Sequence, residues 1–258
     1  MSATMTYEPA GRAREYAPLA LNLYRGCSHG CLYCYAPNAC RADRAAFHAS
    51  PAPRIDVISK LERELAKGTH VRLQLTSGER DSVLLCFTTD PYQPLAAETG
   101  ITRRAIELLH EHGYPVHVLT KGGMRAAADF DLLGSLPGDA FATTLTFLDP
   151  ADSAHWEPGA ASPADRMAAM TEAHVLGIPT WVSLEPVIDP EQTLAVIRAT
   201  HSYVDLFKVG TLNHHELAKT IDWPDFARRA VGLLEELGAA YYLKNDLRRH
   251  LAQPGAAK

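Results

Sequence analysis

Three cysteines at the spacing C-x3-C-x2-C are the residues of this chain whose type and position best fit a specific chemistry. They are Cys27, Cys31 and Cys34, and Gly26 and Gly30 flank the first pair. Three thiolates on one short loop can ligate three corners of a cubane iron–sulfur cluster, whereas such clusters usually take four cysteines. The fourth iron is then open to another ligand. The glycines let the loop wrap closely, because glycine adopts backbone angles that other residues resist.

Two other interpretations of these cysteines compete with the cluster. A structural zinc site needs four ligands, commonly from two Cys or Cys/His pairs, and here Cys40 or His29 would have to complete the set. A disulfide framework fits less well, because five cysteines in 258 residues are sparse. The number and spacing of the ligands favour the cluster, and we expect Cys40 and Cys86 to be dispensable for it.

The residues around these cysteines resemble a known family. The pattern C-x3-C-x-Φ-C, with an aromatic residue before the last cysteine, is the signature of radical S-adenosylmethionine (SAM) enzymes. The longer string RGCxHGCxYCYA at 25–36 resembles their spore photoproduct lyase-like branch. The resemblance implies a 4Fe–4S cluster whose open iron binds the amino and carboxylate groups of SAM. It also implies reductive cleavage of SAM to methionine and a 5′-deoxyadenosyl radical, which abstracts hydrogen from a substrate.

Alternating strand and helix patterns supply the frame for this loop. The apolar run Val83–Phe87 is typical of a strand buried on both faces. Strand–helix alternation predicts parallel strands joined by right-handed crossovers. Six or seven such units predict an α/β fold, a partial, open TIM-like barrel, which the resemblance also implies. We predict a single domain over 1–258 with an extended N-terminal arm at 1–19 and a short C-terminal helix.

The elements are predicted from apolar periodicity and from Gly and Pro positions. The predicted strands are Ala20–Tyr24, Ser82–Thr88, Val116–Thr120, Phe141–Phe147, Thr180–Leu184, Val204–Val209 and Ala240–Leu243, and Val71–Leu75 is predicted to be a short strand or part of a hairpin. The predicted helices are Arg54–Lys67, one from Thr99 or Gly100 to His112, Arg125–Leu136, Ala164–Leu176, Pro190–Thr200, Trp223–Leu237 and Asp246–Leu251. Asn38–Pro53 is predicted to be a long connection close to the cluster.

Polar residues recur where the predicted strands end. The carboxyl ends of the strands carry the chemistry in a β/α barrel, so this recurrence predicts a polar cofactor cavity. The residues are Thr88, Thr89, Asp90, Thr120, Lys121, Thr144, Thr146, Ser183, Glu185, Lys208 and Lys244.

The chemistry of SAM and the resemblance assign cofactor-binding roles to five of these residues. Lys121 can pair with the SAM carboxylate in a charge-assisted bond. Thr89 and Asp90 stand where the family binds the amino group, and this Thr-Asp pair resembles the lyase-like branch rather than the common Gly-Gly-Glu. Thr144 resembles a hydroxyl contact to SAM in that branch. Ser183, at the end of its strand, is the fifth candidate.

Two further pairs of residues keep two interpretations each. Glu185 and Lys208 either serve a substrate or form a buried ion pair. His214 and His215 either face the barrel mouth, as substrate contacts, metal ligands or general acids, or lie in a solvent loop as neutral imidazoles. We favour the solvent loop, because adjacent histidines seldom point at one ion and no ligand spacing supports a metal.

The chain departs from spore photoproduct lyase at one position. The lyase carries a cysteine hydrogen donor in Cys-Thr-Ser-Asp, whereas this chain has Phe87 there and Cys86 one residue earlier. Side chains alternate faces along a strand, so the shift predicts a Cys86 thiol that is turned into the core. Tyr33 and Tyr35 match the two tyrosines of the lyase around the last cluster cysteine. They are the candidate catalytic residues, with the substrate or 5′-deoxyadenosine as other hydrogen sources.

Composition and charge restrict location and partners. No apolar run approaches the ~20 residues of a membrane span, and Met1–Ala10 lacks the layout of a signal peptide. We therefore expect a cytoplasmic protein. The net charge of −5 gives no global field for nucleic acid, although residues 1–54 carry +3 and the remainder −8.

The leading hypothesis is a radical SAM enzyme with an unknown substrate and a reducing partner such as flavodoxin or ferredoxin. The resemblance to the lyase points to a nucleic-acid base or lesion, and a small molecule or a peptide is equally open. The alternative is a non-catalytic interaction protein that binds zinc or an iron–sulfur cluster.

Overall fold

A sheet of eight strands dominates the protein, for which a computed structural model describes residues 4–68, 81–213 and 215–251. The strands are β1 (Thr6–Tyr7), β2 (Leu19–Leu21), β3 (Tyr24–Arg25), β4 (Ala52–Pro53), β5 (Val83–Leu85), β6 (Val116–Thr120), β7 (Ala140–Thr144), β8 (Thr180–Leu184), β9 (Leu206–Val209) and β10 (Tyr241–Leu243). The sheet order is β1-β2-β5-β6-β7-β8-β9-β10, and β3 and β4 form a separate antiparallel pair.

The seven strands from β2 to β10 in this sheet are all parallel, and β1 adds an antiparallel edge. Helices follow most of them: α1 (Ala36–Ala39), α2 (Arg44–Ala49), α3 (Val57–Lys67), α4 (Pro94–Thr99), α5 (Ile101–Glu111), α6 (Pro150–Trp156), α7 (Pro163–Val175), α8 (Pro190–Thr200), α9 (Trp223–Glu236) and α10 (Asn245–Leu251). Short 3-10 helices span Gly11–Glu15, Gly123–Asp129 and Glu216–Lys219. The predicted α/β fold, an open partial TIM-like barrel, is confirmed.

The sheet is buried on both faces, as parallel sheets require. Alternate residues of the central strands belong to two separate cores because side chains alternate along a strand. Phe141 and Val182 lie in the large core against the helices. Ala142 and Trp181, their sequence neighbours, lie in a small core on the opposite face. The strands therefore expose few polar side chains until their carboxyl ends.

Several predicted boundaries agree with the structure and some predictions are wrong. The strands Val116–Thr120 and Thr180–Leu184 and the helix Pro190–Thr200 have the predicted bounds. The predicted helix Arg125–Leu136 is wrong: a 3-10 helix ends at Asp129, and Leu132 N bonds back to the Asp129 carbonyl three residues earlier. The segment Val71–Leu75, predicted to be a short strand or part of a hairpin, lies outside the described residues.

The predicted long connection Asn38–Pro53 is also wrong, because it contains α2 and β4. Asp43 caps α2, with its side chain accepting a hydrogen bond from Ala46 N at 2.9 Å. The missed signal is an Asp N-cap before a short helix whose outward face carries mostly alanine.

The N-terminal segment is more structured than the extended arm predicted at 1–19. It contains β1, a 3-10 helix and the first residue of β2. The Glu15 carboxylate accepts hydrogen bonds from Tyr242 OH at 3.0 Å and Asn245 N at 2.8 Å. Lys208 Nζ donates to the Tyr16 carbonyl at 3.0 Å. The segment thus ties the β2 side of the open sheet to the β9–β10 side.

In the described ranges, no helix combines the length and apolar character that a membrane crossing needs.

Candidate active site

The three cysteines lie on the loop between β3 and α1 and line one cavity of about 570 Å³. Cys27 and Cys31 are buried, and Cys34 is half-buried. Cys40 is exposed and lies outside the cavity wall. The three cysteines of the triad therefore share a cavity wall to which Cys40 does not contribute.

Side chains from distant segments hold the backbone of this loop. The Arg44 guanidinium on α2 donates to the carbonyls of Cys31, Leu32 and Cys34, at 2.8 Å for Cys31 and 2.9 Å for Cys34. The fully buried Gln93 accepts from Ser28 N at 3.0 Å and donates to the Gly26 carbonyl at 3.2 Å. The loop is thus fixed in shape by its backbone, which leaves the thiols free for a ligand.

Gly26 is required by both its conformation and its surroundings. Its φ of +73° lies in the left-handed region, and a Cβ there would stand 2.5 Å from the Phe47 carbonyl oxygen. That oxygen accepts a hydrogen bond from Cys27 N at 3.1 Å. Gly30 has a φ of +63° but has space, because its nearest neighbour to a Cβ would be Pro158 at 3.7 Å.

Burial changes the proton affinity of the three thiols. It raises the pKa of Cys31 to about 12, and it also raises the pKa of Cys27 and Cys34 above the ordinary cysteine value. A thiol must lose its proton to ligate a metal, so bound iron would displace these protons. Three convergent thiols, with no fourth cysteine thiol on the loop, fit a cluster that keeps one iron open. Among the described residues, no three His, Cys, Asp or Glu side chains surround a point as one single metal ion would need.

Asp90 joins the cysteine loop to the carboxyl end of β6. Its Oδ1 accepts from Thr120 Oγ1 at 2.6 Å and from Tyr92 N at 2.8 Å. Its Oδ2 accepts from Lys121 N at 2.7 Å and lies 3.4 Å from His29 Nδ1. A carboxylate offers about four acceptor positions, so these contacts occupy Asp90 within the protein.

His29 is a buried neutral member of this network. Burial lowers its pKa, more strongly than the neighbouring Asp90 raises it. Arg125 Nη2 stands 3.2 Å from His29 Nε2 and can only donate, so Nε2 is the acceptor and Nδ1 carries the proton toward Asp90. The network therefore fixes the loop residue between two cluster cysteines.

Lys121 presents an unpaired ammonium group to the cavity. Its Nζ lies 5.6 Å from the centroid of the Tyr33 ring, and within the described part of the chain it makes no hydrogen bond or ion pair. Its backbone is held by Asp90 and by Ala161 N, which donates to its carbonyl at 2.9 Å. A fixed backbone with a free cation is a suitable receptor for a carboxylate.

The other predicted cofactor residues also lie in the cavity wall. Thr89, Thr144 and Ser183 line it together with Asp90 and Lys121. The Thr89 hydroxyl is buried without a well-formed hydrogen bond among the described residues. Ser183 Oγ shares a hydrogen bond of 3.0 Å with Tyr16 OH. Thr89 is therefore the hydroxyl among these that is most in need of an added partner.

The two predicted catalytic tyrosines have different hydrogen-bond partners. Tyr33 OH donates to the carboxylate of Glu157, which forms a buried ion pair with Arg166. Burial and the nearby Glu157 charge raise the pKa of Tyr33 well above its usual value. Tyr35 OH donates instead to the Phe87 carbonyl at 2.8 Å. Both rings line the cavity, but only Tyr33 is bonded to a charge.

Another part of the cavity wall contains Glu185 and Lys244, which the sequence predicted at strand ends, but their pairing and the contribution of Tyr16 were missed. Glu185 pairs with the buried Lys244, accepts from Tyr16 OH at 2.7 Å and accepts from Asn213 Nδ2 at 3.2 Å. Tyr16 comes from the segment predicted to be an arm, and no local signal places it here.

The sequence left two interpretations of Glu185 and Lys208, and the one in which they form an ion pair with each other is wrong. Lys208 lies outside the cavity wall, and its Nζ stands 4.4 Å from the centroid of the Trp181 ring. Burial and the charge of Lys244 lower the pKa of Lys208 to about 8. Lys208 thus anchors the N-terminal segment through the Tyr16 carbonyl.

Cys86 is only 5% exposed and belongs to the large core, as predicted, but it also lines the cavity, so the expectation that it turns away from the cavity is wrong. Leu23 N lies 3.5 Å from its sulfur as a donor, and burial raises the thiol pKa to about 12. The Phe87 ring packs edge-on against Tyr16 with centroids 6.1 Å apart.

Of the two adjacent histidines, the structure describes the contacts of His215 only. Its ring meets Trp156 with centroids 5.4 Å apart, and its Nδ1 accepts from Leu217 N at 3.3 Å as a helix cap. His214 lies outside the described residues.

We predict that Gly26→Ala damages the loop far more than Gly30→Ala. Both changes place alanine at positive φ, at a cost of about 1–2 kcal/mol, but only Gly26→Ala also drives a methyl group into the Phe47 carbonyl. Urea unfolding and iron content after reconstitution would measure both effects. Equal losses in the two variants would contradict this account of the loop.

Comparison with known proteins agrees with this geometry. A family model described as the radical SAM superfamily matches residues 21–204. Uncharacterised proteins of Mycobacterium tuberculosis (strain H37Rv) and Mycobacterium bovis are 29% identical over 171 residues, covering 65% of this chain and 49% of theirs. The match thus spans about half the length of these curated relatives.

Solved structures share the fold at low identity. A variant of spore photoproduct lyase with bound AdoMet and dinucleoside spore photoproduct has a TM-score of 0.69 at 13% identity, covering 92% of this chain and 78% of that one. SuiB of Streptococcus suis bound to S-adenosylmethionine has a TM-score of 0.56 at 12% identity, covering 78% and 46%. Since the family model covers most of the chain, this protein belongs to the radical SAM superfamily.

Proposed function

We propose that this protein is a radical SAM enzyme in which Cys27, Cys31 and Cys34 hold a 4Fe–4S cluster and SAM binds in the adjoining cavity. One observation carries the proposal: the three thiols line the same cavity as the unpaired ammonium of Lys121. A cluster bound there would supply the electron that cleaves SAM to methionine and a 5′-deoxyadenosyl radical. The zinc alternative loses support because Cys40 is exposed and outside the cavity, and because the two ring nitrogens of His29 already face Asp90 and Arg125.

The residues at the strand ends divide into ligands and positioning residues. Lys121 is placed to bind the SAM carboxylate, and Thr89 and Thr144 offer hydroxyl groups to its polar atoms. Asp90 was predicted to bind the amino group directly. Because His29, Tyr92, Thr120 and Lys121 already occupy its oxygens, we propose instead that it positions Lys121. Ser183 serves the part of the wall around Glu185 through Tyr16.

Tyr35 is the better candidate for returning hydrogen to a substrate radical. Its hydroxyl bonds a neutral carbonyl, whereas Tyr33 bonds a carboxylate, and bonds to charged groups are about twice as strong. The carbonyl belongs to Phe87, which stands where the lyase has its donor cysteine. We propose that the Tyr35 phenol takes the place of that thiol: its O–H bond breaks as a C–H bond forms on the substrate, and the tyrosyl radical is restored by one proton and by one electron from the one-electron carrier.

The substrate class is a further part of the proposal. The likeness to spore photoproduct lyase supports a nucleic-acid base or lesion as the substrate. SuiB, which has a similar fold, has been solved in complex with its precursor peptide, and this likeness supports a peptide substrate. The reductant would be a one-electron carrier such as flavodoxin or ferredoxin, and a cytoplasmic location would keep the thiols reduced.

We predict that alanine at any one of the three triad cysteines removes the brown absorbance and SAM cleavage, whereas Cys40→Ala keeps both. The reason is that a cubane with one open iron uses all three thiols. Iron and sulfide analysis of anaerobically purified variants would measure this. Equal cluster loss in Cys40→Ala would mean a four-cysteine site and would contradict the proposed function.

Lys121→Ala should weaken SAM binding and leave the cluster intact. Loss of a hydrogen bond to a charged group costs about 1.5–3 kcal/mol, or about ten- to a hundredfold in affinity. Equilibrium binding of SAM to the reconstituted protein gives the value. Lys219→Ala is the matched control, since Lys219 is exposed and pairs with Glu216. Unchanged affinity in Lys121→Ala would place this lysine outside the SAM site.

Cys86→Ala should release 5′-deoxyadenosine from SAM at close to the normal rate, because its thiol belongs to the core. Once a substrate is found, Cys86→Ala should also form product, whereas Tyr35→Phe should cleave SAM without forming product. Chromatography of 5′-deoxyadenosine and product measures both. The opposite result would make Cys86 the hydrogen donor: Cys86→Ala would cleave SAM without forming product, and Tyr35→Phe would form product at the normal rate.

A further inference from the structure

Four exposed arginines surround the outer side of the cysteine loop. Arg25 lies on β3, Arg41 and Arg44 lie at α1 and α2, and Arg54 follows β4. None of the four lines the cavity. We call the surface formed by these residues the arginine face.

The arginine face is joined directly to the loop backbone. Arg44 donates to the carbonyls of Cys31 and Cys34. Arg25 is paired with Ala52 across the β3–β4 ladder, which places it beside Arg54. The face is therefore attached to the cysteine loop but lies outside the cavity wall.

Within the described residues, the four positive charges of this face are only partly offset by two exposed carboxylates of the same segment, Asp43 and Asp56. None of its arginines forms an ion pair there, whereas exposed arginines elsewhere, such as Arg103 and Arg229, pair with carboxylates. The chain as a whole carries −5. A local cluster of unpaired cations on an acidic protein steers an acidic partner to that one surface.

Apolar side chains interrupt the charge. Leu32, between two cluster cysteines, is 46% exposed, and its carbonyl accepts from Arg44. Ile55, next to Arg54, is 67% exposed. A small apolar area with charged surroundings fits the weak, transient interfaces of redox proteins, which bury less than about 1,200 Å².

We propose that the arginine face is the docking surface for an acidic one-electron carrier protein. The inference rests on the proposed function, since a cluster in the loop needs an electron donor. The carrier loses one electron and the cluster gains it, with no bond formed or broken. A nucleic-acid substrate is disfavoured as the occupant, because its reacting atom must enter the cavity and no arginine of the face lines that cavity.

The test reverses charge on the face without touching Arg44, which holds the loop. The variant Arg41→Glu/Arg54→Glu is compared with Arg198→Glu/Arg249→Glu, which changes two other exposed arginines without ion pairs in the described residues. Calorimetry measures the affinity of oxidised flavodoxin for each reconstituted protein at low and high salt. We expect at least about tenfold weaker binding in the face variant at low salt. The control variant should bind like the unmodified protein, and high salt should abolish the difference.

Equal flavodoxin affinity in both variants would overturn the proposal. Loss of affinity for a short single-stranded DNA, with flavodoxin binding unchanged, would also overturn it and assign the face to nucleic acid. Iron and sulfide content and reduction by dithionite are measured on every preparation. A protein without a cluster contradicts the proposed function, whereas a reducible cluster with unchanged flavodoxin affinity contradicts the docking surface alone.

Discussion

A buried carboxylate, Asp90, is the contact on which the arrangement of this site depends. It accepts from Thr120 and from the backbone of Lys121 at one strand end, and it faces His29 within the cysteine loop. A buried charge is tolerated only when such donors surround it. The cysteine loop and the Lys121 ammonium are therefore held in one fixed relation. In the proposed function, that relation would let a cluster-bound ligand and its carboxylate be recognised together.

Two ion pairs support the remaining walls of the cavity: Glu185 and Lys244 line it, whereas Glu157 and Arg166 lie outside its wall and reach it through Tyr33. Glu157 pairs with Arg166 beside Tyr33, and Glu185 pairs with Lys244 beside Tyr16. Burial raises the pKa of Glu157, but Arg166 and Lys121 lower it by more, so this glutamate stays ionised. Removing one partner of such a pair costs about 3–5 kcal/mol, because the other charge is left buried alone. These pairs fix the shape of the cavity more than they add stability.

The sequence was sufficient for the parts of the site that depend on local order. The cysteine spacing and the polar residues at strand ends predicted Lys121, Thr89 and Thr144 in one cavity, because parallel strands bring their carboxyl ends to one side. The sequence was insufficient where residues in contact are far apart along the chain. The Glu185–Lys244 pair joins residues 59 positions apart, and Tyr16 enters from a segment without a strong pattern. The hydrogen-bond partners of Asp90, and the 3-10 helix that replaces the predicted helix Arg125–Leu136, were missed for the same reason, since hydrogen bonding rather than periodicity decides them.

The central claim is that three thiols leave one iron of a cubane open for SAM. Mössbauer spectroscopy of protein reconstituted with 57Fe, before and after addition of SAM, tests it most directly. The account predicts that one iron of the four changes its isomer shift when SAM is added, while the other three remain thiolate-ligated. Four irons that do not respond to SAM, or a stoichiometric zinc ion in place of iron and sulfide, would contradict it.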